Sequence, residues 1–133
     1  MIEAQFADLV SARTRAGAPE PVGRRLPNGS YLVTVPGVDI GPGWSQHSVT
    51  VLFVAPPGYP AARPDCFWVE PQGLRLAGGA TPLAENDSNA IPGDDVPGRK
   101  TTWFSWHLQT WNPNTDSLLR YFNVIMTRLK PPR

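Results

Sequence analysis

The sequence contains little cysteine, no excess of charge of either sign and no long apolar run. Its single cysteine, Cys66, cannot form an internal disulfide, and no leader of charged, apolar and small residues opens the chain, so we expect a reducing, cytoplasmic location. No apolar run approaches the ~20 residues that a membrane helix requires. A formal net charge of +1 provides no basic surface for binding phosphates. Neither a membrane nor a nucleic acid is therefore expected as a partner.

Sequence motifs for metals and nucleotides are absent as well. The only two histidines, His47 and His107, are far apart in the sequence, and no Cys-x-x-Cys or His-x-x-x-His spacing occurs. No glycine-rich loop precedes a Lys-Ser/Thr pair. The sequence thus predicts no metal site and no cofactor.

Proline and glycine, by contrast, are abundant. The 16 prolines and 12 glycines predict a loop-rich fold with short regular elements. Five tryptophans and an apolar content of 41% nevertheless provide enough material for a core. At 133 residues, we expect one domain, residues 1–133, that buries roughly two-thirds of the surface exposed by the unfolded chain.

Hydrophobic periodicity predicts a helix near each end of the chain. Apolar residues recur at helical spacing over residues 2–14. The strongest pattern runs from Leu118 to Leu129, where apolar residues mark one broad face. We expect Thr115 or Asp116 to cap the start of this helix and Pro131-Pro132 to end it.

Between the helices, residues 31–35, 47–55 and 66–70 are rich in β-branched and aromatic side chains and are predicted strands. Residues 17–29 are expected to form a loop that ends in a tight turn at Asn28-Gly29. Residues 72–102 lose periodicity and predict a surface flap near the functional site. Because the loops between strands are too short for crossover helices, the predicted fold class is α+β, with an antiparallel β-meander packed against an N-terminal helix and a C-terminal helix.

Ser105 and His107 are the candidate catalytic pair. If residues 103–108 are extended, positions i and i+2 point to the same face roughly 7 Å apart, so the imidazole can approach the hydroxyl. A serine hydroxyl needs a base to become a nucleophile, and histidine has a suitable pKa for that task. A packed, hydrogen-bonded histidine with no catalytic role is the alternative, since no orienting acid or oxyanion hole is evident from the sequence.

Other reactive side chains have simpler interpretations. Cys66 lies in an apolar strand without a cationic neighbour and is interpreted as a small buried hydrophobe rather than a nucleophile. The carboxylates Asp87, Asp94 and Asp95 fall in the predicted flap, where acids that form turns are more common than catalytic ones.

The order of these features resembles the ubiquitin-conjugating (UBC-like) superfamily, and more closely the prokaryotic ubiquitin-conjugating-like family, family E. The resemblance covers roughly residues 30–130. The residues that carry it are the Ala55 to Pro60 run with Tyr59-Pro60, Phe67 to Pro71, Leu74-Arg75-Leu76, the aromatic-Ser-x-His segment around Ser105, and Trp111-Asn112-Pro113 before a helix. Members of this family occur beside genes for an activating enzyme, a ubiquitin-like protein and a peptidase, in pathways associated with antiphage defence.

The chain departs from typical ubiquitin-conjugating enzymes at the nucleophile. It has no His-Pro-Asn tripeptide and no cysteine between Gln72 and Trp111, and Cys66 comes too early to replace it. The resemblance therefore implies a noncysteine acyl carrier, in which Ser105 accepts the C-terminus of a ubiquitin-like protein as an oxyester and His107 activates the hydroxyl. An inactive adaptor that binds the ubiquitin-like protein or the activating enzyme is the second hypothesis. An unrelated α+β domain is the third.

Overall fold

The computed structural model of the protein describes residues 2–86 and 90–133. Within these described residues, two helices and six strands follow one another. They are α1 (Ile2–Arg15), β1 (Val22–Arg25), β2 (Tyr31–Asp39), β3 (Ser48–Ala55), β4 (Phe67–Glu70), β5 (Glu85–Asn86), β6 (Thr102–Phe104) and α2 (Leu118–Leu129).

The strands form one sheet in the order β1-β2-β3-β4-β6-β5, and each neighbouring pair is antiparallel. The predicted α+β class with an antiparallel meander and two terminal helices is thereby confirmed. The last strand pair departs from simple sequence order, because β6 lies between β4 and β5. In this arrangement Phe67 of β4 is opposite Phe104 of β6, and their rings stack with centroids 4.9 Å apart.

Both helices pack on the same face of the sheet. The main core combines Leu9 of α1 with the inward side chains of the central strands and the apolar face of α2. Tyr121 and Ile125 of α2 are fully buried there, and the Tyr121 ring lies 5.3 Å from that of Phe53. The broad apolar stripe of the C-terminal pattern is therefore the face that covers the sheet.

The opposite face of the sheet is covered by a loop. Leu32, Leu52 and Trp68 form a second apolar cluster on this face, and Ile91 from the segment after β5 packs against it. Two ion pairs hold the same segment. Arg24 of β1 forms a bidentate pair with Asp95 at 2.6 and 2.7 Å, and Arg99 contacts Asp94 at 2.7 Å.

Several predicted boundaries change. The predicted loop at residues 17–29 contains strand β1, although its tight turn at Asn28-Gly29 leads directly into β2 as expected. Strand β2 continues past Val35 to Asp39 through a bulge at which Gly37 adopts a φ of 61°. A Cβ atom at Gly37 would approach Pro19 to 2.7 Å, so only glycine fits there.

The start of α2 also differs from the prediction. Its N-cap is Ser117, whose side chain accepts a hydrogen bond from the Arg120 N–H at 3.1 Å, and not Thr115 or Asp116. The Asp116 carboxylate instead accepts from the Asn112 N–H at 2.8 Å and so closes the preceding turn. The helix ends at Leu129, immediately before Lys130 and the two prolines.

The segment at residues 72–102 contains more regular structure than its sequence suggests. Leu76 forms an isolated bridge with Trp44, and β5 adds a short strand beside β6. Asp87, one of the carboxylates considered above, lies outside the described residues. Within residues 2–86 and 90–133, no helix has both the length and the apolar character of a membrane span.

The substitution Tyr121→Phe tests the hydrogen bond between α2 and the residue that precedes β4. The buried Tyr121 hydroxyl donates to the Cys66 carbonyl at 2.7 Å, and its loss leaves that carbonyl without this donor. We expect the free energy of unfolding in urea to fall by about 1–2 kcal/mol. Thr127→Ala, which removes an exposed hydroxyl of the same helix, should change it by less than about 0.5 kcal/mol. Equal effects of the two substitutions would show that the hydrogen bond from Tyr121 to Cys66 does not stabilise the fold.

Candidate active site

Ser105 follows β6 directly and is held there by the backbone. Its N–H donates to the Ala84 carbonyl at 2.9 Å, which continues the pairing of β5 with β6 beyond the end of both strands. The Ser105 Oγ lies 3.3 Å from Nε2 of His107. The two predicted site residues are therefore adjacent, and the separation is just beyond the usual hydrogen-bond range of 2.7–3.2 Å.

A third side chain, Asp65, completes this cluster. Its Oδ1 lies 2.7 Å from His107 Nδ1, on the opposite side of the imidazole from Ser105. The pairing of β4 with β6 explains this proximity. Since Phe67 is opposite Phe104, the residues just before β4 lie beside those just after β6, and the Cys66 N–H donates to the Trp106 carbonyl at 3.0 Å. No orienting acid is evident from the sequence alone, and Asp65 occupies that position in the structure.

The hydrogen bonds assign the tautomer of the imidazole. An ionised carboxylate only accepts hydrogen bonds, so Nδ1 of His107 carries the proton that faces Asp65. In the neutral imidazole, Nε2 then presents a lone pair to the Ser105 hydroxyl, as a general base must. The arrangement of hydroxyl, imidazole and carboxylate is that of a Ser-His-Asp triad, which is recognised by geometry and not by sequence order.

The triad lies beside an open groove of about 480 Å³. The side chains of His107 and Asp65 are 57% and 58% exposed, so solvent reaches both. The residues that line the groove are Ala84, Ser105, Trp106, His107, Leu108, Gln109, Thr110 and Val124. A flexible chain end can therefore approach Ser105 without any rearrangement of the core.

Arg128 of α2 supports the segment on either side of Ser105. It is only 1% exposed, and its guanidinium lies 5.1 Å from the Phe104 ring centroid and 5.9 Å from that of Trp106. The guanidinium also donates to the Leu83 carbonyl, next to the residue that binds the Ser105 N–H. Burial lowers the pKa of Arg128. The buried cation thus connects α2, β6 and the start of β5.

The Tyr59-Pro60 segment is attached to the chain that follows the triad. Trp111 Nε1 donates to the Pro60 carbonyl at 2.7 Å, and the Trp111 ring lies 5.8 Å from the Tyr59 ring. The Tyr59 hydroxyl donates to Gln5 of α1, and burial raises the pKa of Tyr59 to about 12. These contacts fix the loop that carries Asp65 relative to the segment that carries His107. The two aromatic motifs of the sequence analysis therefore position the triad.

Cys66 is buried, as its sequence context predicted. The residue is 6% exposed, and burial raises the pKa of its thiol, with a further contribution from the neighbouring Asp65 carboxylate. A thiol of this kind is a weak nucleophile at neutral pH. Its backbone adopts a φ of 60°, in the left-handed region that non-glycine residues rarely occupy.

The flap carboxylates Asp94 and Asp95 make structural contacts. The carboxylate of Asp94 pairs with Arg99 and accepts the Val96 N–H at 3.1 Å, as a turn-forming acid does. Asp95 pairs with Arg24, which lowers the pKa of the Asp95 carboxyl. Asp95 therefore holds the covering segment on the sheet, whereas Asp94 closes a turn within that segment.

Together, the antiparallel sheet and the flanking helices have the UBC-like layout of ubiquitin-conjugating proteins. A family model described as prokaryotic E2 family E matches residues 25–131. The match spans most of the chain, and the protein belongs to this family, whose members are conjugating-enzyme-like. Comparisons with curated proteins and with solved structures produced no match.

The reactivity of Cys66 can be measured directly. Because its thiol is buried and its pKa is raised, iodoacetamide should label the folded protein at neutral pH at least about tenfold more slowly than the urea-unfolded protein. The control is the double variant Cys66→Ala/Ser11→Cys, whose thiol on exposed α1 should react at similar rates in both states. Fast labelling of folded Cys66, measured by intact mass, would show that the thiol is accessible and activated.

Proposed function

We propose that this protein is a ubiquitin-conjugating-like acyl carrier that accepts the C-terminus of a bacterial ubiquitin-like protein from an activating enzyme, as an oxyester on Ser105. The observation that carries the proposal is the series of contacts from Asp65 through His107 to Ser105 at the edge of an open groove. Family membership supports the conjugating-enzyme-like role in general. Specifically, we propose that Ser105 is the nucleophile, that His107 is its base and that the product is an ester.

The first step is acyl transfer to the serine. The Ser105 Oγ attacks the carbonyl carbon of the activated C-terminus while Nε2 of His107 takes the hydroxyl proton. The new Oγ–C bond replaces the bond between that carbon and the activating enzyme, and the proton passes from His107 to the leaving group. Asp65 stabilises the imidazolium that exists between these events. A Ser105 hydroxyl 3.3 Å from Nε2 has to move only slightly for the proton transfer.

The second step is transfer to an acceptor. An amine or hydroxyl attacks the ester carbonyl, His107 takes its proton, and the Ser105 oxygen leaves with that proton. Esters react with amines less readily than thioesters do, so the base has a larger effect on the rate here than in an enzyme with a cysteine nucleophile. A hydroxyl acceptor benefits from the same base.

The groove is suited to a protein substrate. Its lining combines apolar side chains, such as Leu108 and Val124, with the polar side chains of Gln109 and Thr110. An extended C-terminal peptide has apolar faces and backbone amides that such a surface can contact. The exposure of Asp65 and His107 means that a docked protein would remove them from water and strengthen their interaction. We place this reaction in the cytoplasm, with a peptidase of the same pathway as a further partner.

The exposure of the triad also favours a second candidate function. An adaptor of the same fold would bind the ubiquitin-like protein or the activating enzyme without forming an adduct. The 3.3 Å separation of the Ser105 and His107 atoms and the solvation of the His107 and Asp65 side chains are compatible with a surface that only docks.

Intact mass separates the two functions. The protein is incubated with the activating enzyme, ATP and the ubiquitin-like protein encoded beside it. An acyl carrier should form an adduct that survives thiol reductant, is cleaved by mild alkali and is absent in Ser105→Ala. Ser48→Ala, an exposed serine of β3, is the matched control and should form it. Binding without an adduct would support the adaptor, and an adduct lost in Cys66→Ala but present in Ser105→Ala would show that the serine is the wrong nucleophile.

The substitution Asp65→Asn tests the orienting acid. An asparagine that donates its amide proton to Nδ1 of His107 would move the ring proton to Nε2, where it blocks the base. We expect the rate of adduct formation to fall by about 10²-fold. The isosteric control Asp39→Asn, an exposed carboxylate that accepts the Gly41 N–H, should leave the rate within about twofold. A full rate in Asp65→Asn would mean that Asp65 does not orient the imidazole.

A further inference from the structure

Three ligand types that bind transition metals meet at the triad. The carboxylate of Asp65, the thiol of Cys66 and the imidazole of His107 each present one ligand atom, and these atoms all lie within 4.8 Å of one another. We propose that they form a regulatory zinc site, which holds Zn²⁺ in competition with the Ser105 triad. Metal binding is independent of the proposed function, and its inhibitory effect rests on that function.

Zinc binding requires a small rearrangement of the three side chains. With Zn–S bonds of ~2.3 Å and Zn–N or Zn–O bonds of ~2.0–2.1 Å, the ligand atoms of a tetrahedral site lie roughly 3.3–3.6 Å apart. The observed spread of up to 4.8 Å therefore has to shrink by roughly 1.2–1.5 Å. His107 Nδ1 and Asp65 Oδ1, now 2.7 Å apart, have to separate by roughly 0.6 Å. The side chains of Asp65 and His107 are more than half exposed and can rotate to close this difference.

Cys66 supplies the fixed part of the site. Its N–H donates to the Trp106 carbonyl, and its own carbonyl accepts the Tyr121 hydroxyl at 2.7 Å. The backbone is thus held on both sides, which places the sulfur independently of any metal. The triad chemistry makes no use of this thiol, although the sulfur lies beside two of the triad members.

The donor set selects the metal. One thiolate, one imidazole and one carboxylate match zinc, whose sites combine sulfur, nitrogen and oxygen ligands, and do not match magnesium or calcium, which bind oxygen. Three protein ligands leave a fourth tetrahedral position for water, which can reach the site because the side chains of Asp65 and His107 are more than half exposed. On binding, Zn²⁺ replaces the thiol proton of Cys66, which is released to solvent.

Zinc would switch off the base through the other ring nitrogen. When Nδ1 of His107 binds the metal, the single ring proton of the neutral imidazole resides on Nε2. Nε2 then donates to the Ser105 oxygen and can no longer accept its proton. The Asp65 carboxylate is also drawn from the imidazole to the metal, so the occupied site and the competent triad exclude each other.

Cobalt(II) absorption tests the site without any partner protein. Titration of the full chain with Co²⁺ should produce a thiolate-to-metal charge-transfer band and the intense visible bands of tetrahedral cobalt, and Zn²⁺ should displace both. Cys66→Ala should lose the charge-transfer band, and Cys66→Ala and His107→Ala should bind at least about tenfold more weakly. His47→Ala and Ser105→Ala are the controls and should retain the bands.

Either of two results would overturn the proposed metal site. A wild-type protein without a charge-transfer band, or variants at Cys66 and His107 that bind Co²⁺ as wild type does, would show that these residues are not ligands. Circular dichroism confirms that each variant is folded, and Cys66→Ser provides a second variant for the thiol position.

Adduct formation supplies the second readout. Stoichiometric Zn²⁺ should slow the wild-type reaction at least about tenfold, whereas the ratio of rates with and without zinc should approach one in Cys66→Ala. Equal inhibition of both proteins would show that zinc does not act through this site. If no adduct forms under any condition, the proposed function fails while the cobalt spectra still decide the metal site.

Discussion

The antiparallel pairing of β4 with β6 is the constraint on which the rest of the site depends. Opposing Phe67 to Phe104 brings the chain before β4 against the chain after β6, so that Asp65 and Cys66 meet Ser105 and His107. A one-residue slip would turn each side chain to the other face and separate these groups. The stacked phenylalanine rings, and Arg128 behind them, oppose such a slip because both are buried.

Packed side chains hold the site rigidly from below, and its reactive groups are exposed to solvent. Tyr59, Trp111 and Tyr121 attach the two triad-bearing segments to one another and to the helices through hydrogen bonds and ring contacts. The reactive atoms themselves lie in solvent at the groove. This arrangement suits a protein that binds other macromolecules. The packed residues fix the positions of the triad side chains in advance, and a partner excludes water from them when it docks.

A serine in this fold changes which residues matter. A cysteine reacts as a thiolate and needs little help at neutral pH, whereas a serine hydroxyl depends on a base and on an acid that orients that base. In this chain the carboxylate, the imidazole and the hydroxyl are supplied by two short segments on neighbouring strands. The only thiol is buried beside them with a raised pKa, which makes it a poor nucleophile at neutral pH.

The sequence by itself determined both helices, the strands β2, β3 and β4, and the proximity of Ser105 and His107, because each rests on a local period or spacing that a few neighbouring residues define. It did not reveal β1, whose Gly23, Arg24 and Arg25 are not typical of a strand. The two-residue β5 and the N-cap Ser117 are too short to show a period. Asp65 could not be assigned either. Its place beside His107 depends on a pairing register between segments 42 residues apart, and only the tertiary structure fixes that register, through the packing of buried rings on both strands.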